Sequence, residues 1–407
     1  MDLLRDVQIL FDKSLFKQCR KHLERAKKIA YTYEKHAQIL AILDWEKILA
    51  RTSAYAGIEE KELMKYYSEH RKATENLNNI NEYWNLTMKA FFLKKIQGNI
   101  RDKNELKKFN EIIKHPLLQS EEKATSFLSK TFYFNIKGLY YHTNKDYKKL
   151  LVYCIKLVRL MESNPLLKKE DNYIASLYNL LLVQIELKKY NDALLTIIKL
   201  RKIDSKSPTV LTKIFVTSYD TEINLYLRTG DFEKGISLVK DIEDGLKKYR
   251  DKINKESEVL FEYNIAYLYF GTDDYNNSLK WLNKIINDSD LKIREDIQCF
   301  ARILNLLVHY ELKNYNLIEY IIKSTKRYLS SKNSLNKFES LILNYIRKLI
   351  NSKNEEDKNY IFREWDKEFL SVEEDYNEIK ASEYFDLNSW IKSKIYKKKF
   401  QDVVKAK

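Results

Sequence analysis

Residues 223–242 read INLYLRTGDFEKGISLVKDI, and this stretch decides the fold. An apolar helical segment (Ile223, Leu225, Leu227) ends in the polar turn Arg228-Thr229-Gly230-Asp231. Phe232 follows, and a second amphipathic segment begins. Apolar residues three and four positions apart on both sides of a Gly-Asp turn are the pattern of two short helices folded back on each other. The same scheme recurs in LYYHTNKDYKKLLVYCIKL (139–157), LLVQIELKKYNDALLTIIKL (181–200), AYLYFGTDDYNNSLKWLNKI (266–285) and LLVHYELKNYNLIEYIIKST (306–325). The aromatic after the turn is Tyr147, Tyr190, Phe232, Tyr275 and Tyr315 in turn, at spacings of 43, 42, 43 and 40 residues.

The positions that follow explain the recurrence. Three residues beyond each aromatic stands Leu150, Ala193, Gly235, Ser278 or Ile318, in most copies small enough for close helix approach. Four further on come Cys154, Ile197, Val239, Leu282 and Ile322, on the same helical face. Leu157, Leu200, Ile242 and Ile285 continue the stripe, and Thr325 is the exception. A hairpin cannot bury such a stripe alone; the next hairpin must stack on it, which is the logic of a solenoid.

Turn, aromatic, small residue and later apolar positions together resemble the tetratricopeptide repeat, most closely over residues 120–330. LYLRTGDFEKGISLV is the nearest copy. Among the small positions only Ala193 keeps the family's alanine, and Ser205 and Asp288 stand where its terminal proline is usual. The resemblance implies an all-α, right-handed α-solenoid of antiparallel helical hairpins, here with a period of about 42 residues. It also implies that first helices line a concave face. Carried over copy by copy, the inward positions are Asn135 and His142; Tyr178 and Leu182; Asp220 and Asn224; Tyr263 and Tyr267; and Ile303, Leu307 and Tyr310. Aromatic and amide groups in one groove suit an extended peptide or a partner helix, so a protein or peptide partner is expected.

Outward from this array the scheme loosens. LFDKSLFKQCRKHLERAKKIA (10–30) repeats it with Phe16, Cys19, Leu23 and Ala26. Helical patterns near 37–55, 59–79, 82–98 and 102–114 fill the interval before Tyr147. Three blocks are therefore expected: degenerate helical repeats over 1–119, the array over 120–330, and capping helices over 331–407. The tail YFDLNSWIKSKIYKKKFQDVVKAK (384–407) offers Asp386 or Asn388 as a helix cap before Trp390, Ile391, Ile395, Phe400 and Val403 or Val404. It is expected to close the end of the solenoid. It is similar to the ends of uncharacterised repeat proteins from Bacteroidetes bacteria, a resemblance that implies no activity.

Composition agrees with an all-α chain. Across 407 residues there are 7 Gly and 3 Pro, too few to build many β-hairpins. Cys19, Cys154 and Cys299 are odd in number and far apart, which suits neither a disulfide framework nor a zinc motif. The N-terminal stretch places Asp2, Asp6 and Asp12 among its apolar residues and does not read as a secretory leader. No apolar run approaches the roughly 20 residues of a membrane span. A reducing cytoplasm is the expected compartment.

Searching for chemistry gives an expectation of no enzyme, no cofactor and no metal. The six histidines (His22, His36, His70, His115, His142, His309) form no ligand spacing, and neither GxGxxG, GxxxxGK[ST] nor GxSxG occurs. The acidic runs Glu355-Glu356-Asp357 and Glu373-Glu374-Asp375 suit helix starts or loops. A formal net charge of +15 brings nucleic acid into consideration, but acidic residues are interleaved almost throughout. The densest basic stretches are Lys392, Lys394 and Lys397–Lys399 in the tail, and Lys247, Lys248, Arg250, Lys252 and Lys255 between two repeats. No helix-turn-helix accompanies them, so nucleic acid ranks below a protein partner. A sensory or regulatory array whose curvature answers a ligand is the second alternative.

Overall fold

A computed structural model describes residues 2–52, 59–97, 109–288, 294–332, 334, 337–373 and 384–407. The chain is all-α, with no strand among the described residues. It divides into two compact units, residues 1–196 and 197–407, at a point inside the expected 120–330 array.

The first unit contains α1 (Asp2–Asp12), α2 (Phe16–Thr32), α3 (His36–Thr52), α4 (Glu60–Gln97), α5 (Phe127–Thr143), α6 (Tyr147–Ser163) and α7 (Glu170–Glu186). Each packs against the next in chain order. Helix α8 (Tyr190–Arg201) carries the division between the units. The second unit continues with α9 (Pro208–Thr229), α10 (Phe232–Ile236), α11 (Val239–Lys248), α12 (Lys255–Gly271), α13 (Tyr275–Ile286), α14 (Glu295–Glu311), α15 (Tyr315–Ser331), α16 (Lys337–Ile350), α17 (Glu355–Glu373), α18 (Leu387–Tyr396) and α19 (Phe400–Lys405). From α12 to α19 consecutive helices again pack on one another, and α19 returns to touch α9.

Every turn aromatic read from the sequence is the first residue of a helix: Phe16, Tyr147, Tyr190, Phe232, Tyr275 and Tyr315. The turns share one construction. Two residues before each of these, and before His36, stands a residue with positive φ: Ser14, Glu34, Lys145, Lys188, Gly230, Asp273 or Lys313. The next residue's N–H bonds back to a carbonyl five positions earlier, as Asp231 N–H does to Tyr226 (3.1 Å) and Asn314 N–H to His309 (3.0 Å). This is the Schellman closure, which satisfies carbonyls left open at a helix end. In two of the turns the same residue then caps the following helix: the carboxylate of Asp146 accepts from Lys149 N–H at 3.1 Å, and that of Asp274 from Asn277 N–H at 3.2 Å. Only one of these turns uses glycine. The lysines accept a left-handed backbone at a cost of about 1 kcal/mol each.

The stripe beyond each aromatic is buried in every copy, from Leu150, Cys154 and Leu157 through to Ile318, Ile322 and Thr325. Its small positions mark close approach. The Ser278 hydroxyl donates across to the Ala266 carbonyl at 2.8 Å, and a methyl group on Gly235 would collide with Leu268.

Two local features differ from the sequence expectation. The second helix of the Phe232 copy is broken between α10 and α11, with Leu238 N–H bonded to Gly235 C=O across the break. The patterns near 59–79 and 82–98 are one continuous helix of 38 residues, α4. The Asn-rich stretch between them contains neither Gly nor Pro, so nothing in the backbone stops the hydrogen-bond ladder. Residues 98–108, which include most of the fourth pattern (102–114), lie outside the described residues.

Candidate functional site

In the second unit the inward positions come from the first helices of the hairpins, α9, α12 and α14. Serine at 207 caps α9 and Asn254 caps α12, each accepting from a backbone N–H three residues on (3.4 and 2.9 Å). Asp220 and Asn224 lie one turn apart on α9. The Asn224 amide donates to the Asp220 carboxylate at 3.1 Å, and Asn264 of α12 donates to the same oxygen at 3.4 Å. Burial pushes the Asp220 carboxyl up to about 6, against the stabilising bond from Asn224.

Tyr263, Tyr267 and Tyr310 are buried, and what covers them is the chain's own C-terminal segment. The Tyr263 hydroxyl donates to the Tyr384 carbonyl at 3.1 Å, 121 residues away in sequence. The Tyr267 hydroxyl accepts from Asp386 N–H at 3.0 Å. Phe385 and Phe400 pack on the Tyr267 ring with centroids at 5.0 and 6.4 Å, and Phe400 stacks on Phe232 at 5.5 Å. Burial drives the phenol pKa of both tyrosines far above its ordinary value, so the two hydroxyls stay neutral donors and acceptors. Further along, Trp390 meets Tyr310 edge-on (5.9 Å, 81°), while its indole N–H donates to Glu311 at 2.6 Å. Lys394 donates to the same carboxylate at 2.7 Å. Ile303 and Leu307 are fully buried core residues.

Tyr384 is held from three sides. Its ring stacks on Phe300 (4.3 Å, 10°), its carbonyl takes the Tyr263 bond, and its hydroxyl donates to Asp296. Arg294 grips Asp296 with two donors, at 3.0 and 2.8 Å. Burial works against ionising Asp296, yet the hydrogen bonds from Arg294 and Tyr384 hold it below the usual carboxylate range.

Asp386, not Asn388, caps α18, its carboxylate accepting from Ser389 N–H at 3.0 Å. Trp390, Ile391, Ile395, Phe400 and Val404 are buried as expected, with Phe385 and Leu387 added. The segment does more than cover a terminal helix. It packs on α17 through Trp390 and Trp365 (5.7 Å) and runs back to the Gly230 turn. There an added methyl would stand 3.0 Å from the Gln401 carbonyl. Each of these apolar side chains contributes about 2 kcal/mol of burial, so the segment is core and not a loose cover. Sequence reasoning placed this tail at the end of the array. The one available signal was its density of aromatic and apolar residues next to an acidic cap, YFDLNSW.

The tail also consumes part of its own basic run. Lys394 pairs with Glu311, Lys405 with Asp231 at 3.5 Å, and Lys407 with Asp386 at 2.8 Å. In the second basic stretch Lys255 pairs with Asp288 (2.8 Å) and Glu258 (3.0 Å).

In the first unit the inward positions are differently placed. Asn135 is half-buried and His142 exposed on α5. On α7, Tyr178 is 39% exposed and Leu182 is 47% exposed. Among the described residues no group of three His, Cys, Asp or Glu side chains is arranged to hold a metal ion. No described helix is long and apolar enough to cross a membrane. No family model matches the chain, and no curated protein matches it significantly.

Proposed function

We propose that the chain is a cytoplasmic, non-enzymatic scaffold that binds a protein or peptide segment. It would do so on the inner face of a right-handed, tetratricopeptide-like solenoid whose hairpins repeat about every 42 residues. The observation that carries this reading is the way the second unit treats its own tail. Tyrosine hydroxyls bond the segment's backbone, Tyr263 to a carbonyl and Tyr267 to an N–H, while the rings supply apolar area. Backbone bonding plus side-chain pockets is the chemistry by which grooves recognise peptide segments.

In the second unit that face is already filled, so the proposal rests on the first. There the equivalent positions, Asn135, His142, Tyr178 and Leu182, combine an amide, an imidazole, a phenol and an aliphatic side chain. The last two are partly exposed. Tyr178→Ala combined with Leu182→Asp tests it. Proteins captured from the native host by the wild-type chain should be lost with this double variant. They should be retained with Tyr360→Ala, an exposed tyrosine of the second unit. Retention unchanged by the double variant would refute binding at this face.

A further inference from the structure

Helix α2 presents a face of unneutralised positive charge. Lys17, Lys21, Arg25 and Lys28 follow one another in steps of three or four residues, and Arg20 lies beside them. Steps of that size keep side chains on one face of a helix. All five are exposed, and Glu24 is the single acid among them. Among the described residues none of the five is in an ion pair. The charged contacts of this helix are His22 with Asp6 (3.8 Å) and Lys27 with Glu46 (2.8 Å) and Glu69 (2.7 Å). Lys27 therefore takes up the two acids that reach it from α3 and α4 and leaves the outer cations unopposed. The basic runs of the second unit are treated differently, with Lys255, Lys394, Lys405 and Lys407 all paired.

From Lys17 to Lys28 this ribbon runs about 16 Å along the helix, and it ends on aromatic rings. Tyr31 continues its three-residue step and is 45% exposed, and Tyr33, just past the helix end, is 40% exposed. The opposite side of α2, made of Cys19, Leu23, Ala26 and Ala30, is buried in the core that it shares with α1 and α3. The helix thus has no free apolar side to sink beneath lipid headgroups, as membrane-surface helices do. An acidic peptide answers the charge but not the two rings in line with it. A nucleic-acid strand answers both, since it repeats a phosphate about every 3.4 Å and every base has a face that stacks on an aromatic ring. Only an unpaired strand leaves those faces open. We infer that α2 binds single-stranded nucleic acid without sequence preference, its five cations on the phosphates and Tyr31 and Tyr33 against the bases.

The test follows the fluorescence anisotropy of labelled DNA and RNA single strands of about 20 nucleotides, titrated with the full chain at several salt concentrations. Five phosphate contacts predict a slope of about −3.5 in log affinity against log salt, a loss of about 100-fold between about 50 and 200 mM. Lys21→Ala with Lys28→Ala, both solvated, should leave the circular dichroism unchanged, weaken binding at least about tenfold and bring the slope to about −2. Lys148→Ala with Arg159→Ala removes the same charge from exposed positions of α6 and should change the affinity less than about threefold. Tyr31→Ala with Tyr33→Ala should weaken strand binding by about fivefold or more and leave binding of polyglutamate unchanged. Absence of binding to either strand at about 50 mM salt overturns the inference, as does a loss shared equally by the α6 pair. Full affinity in the tyrosine variant, or polyglutamate bound as tightly as the strands, assigns the face to an acidic protein. Binding to phosphatidylserine vesicles but to neither strand assigns it to a membrane, and each of these results overturns the inference.

Discussion

Trp390→Ala removes the side chain that anchors the C-terminal segment, and its effect can be worked from the structure. The indole is 1% exposed and touches the rings of Tyr310, Phe362 and Trp365, with centroids 5.7–5.9 Å apart. Truncating a buried Trp to Ala costs about 3–5 kcal/mol through lost burial and the cavity left behind. The substitution also removes the indole N–H bond to Glu311, leaving that carboxylate to Lys394 alone and adding about 1 kcal/mol. A loss of about 4–6 kcal/mol is therefore expected. Urea unfolding followed by circular dichroism measures it, since tryptophan fluorescence changes with the substitution itself. With a slope of about 3 kcal/mol per molar urea, the midpoint should fall by about 1.3–2 M. Tyr396→Ala, on the same helix but exposed, should stay within about 0.5 kcal/mol of wild type. If Trp390→Ala costs less than about 1 kcal/mol, the segment is not part of the core and the assignment of this face to it fails.

Other outcomes follow from the same physics. Burial, reinforced by Glu258, pushes the carboxyl of Glu262 from 4.5 up to about 7, against Lys255 and Lys284. The folded state thus holds its proton more tightly than the unfolded chain. The resulting stability is present below about pH 4.5 and is lost as pH rises through about 7. Between pH 5.5 and 8 this group removes about 2 kcal/mol, and Glu262→Gln should flatten that part of the dependence in thermal melts at the two pH values. Lys145→Gly, Lys188→Gly and Lys313→Gly relieve left-handed backbone and should each raise the urea midpoint by an amount worth about 0.5–1 kcal/mol, whereas Gly230→Ala should lower it. Arg201 pairs with the largely buried Glu222 at 2.6 Å, so Arg201→Ala should cost about 3–5 kcal/mol by stranding that charge. The double change Arg201→Met with Glu222→Leu should recover most of it in the same unfolding assay.

What could be read in advance follows from the range of each interaction. Helix starts at Tyr147, Tyr190, Phe232, Tyr275 and Tyr315 were legible because turn, aromatic and stripe lie within about three helical turns of one another, where local periodicity is strong. The burial of Leu150, Ile197 and Ile242 came with that periodicity. The left-handed turns were harder to see, since lysine or aspartate occupies positions where glycine would have announced them. The continuity of α4 was missed because an Asn-rich stretch reads as a break when only propensity is weighed. Most opaque was the pairing of Tyr263 and Tyr267 with Tyr384 and Asp386. It joins residues about 120 positions apart, and neither partner carries a local signature of the other. The inward positions could be counted from the turns, but not whether the chain itself would cover them.

Hydrogen–deuterium exchange read peptide by peptide tests the central claim, that Tyr263, Tyr267 and Tyr310 of the second unit are covered by its own C-terminal segment. Peptides spanning Leu387–Tyr396 should exchange as slowly as those of α12, and Tyr267→Phe, which removes the acceptor for Asp386 N–H, should speed exchange at the start of α18. Exchange of residues 387–396 at the rate of a free peptide, with α12 still protected, would contradict it.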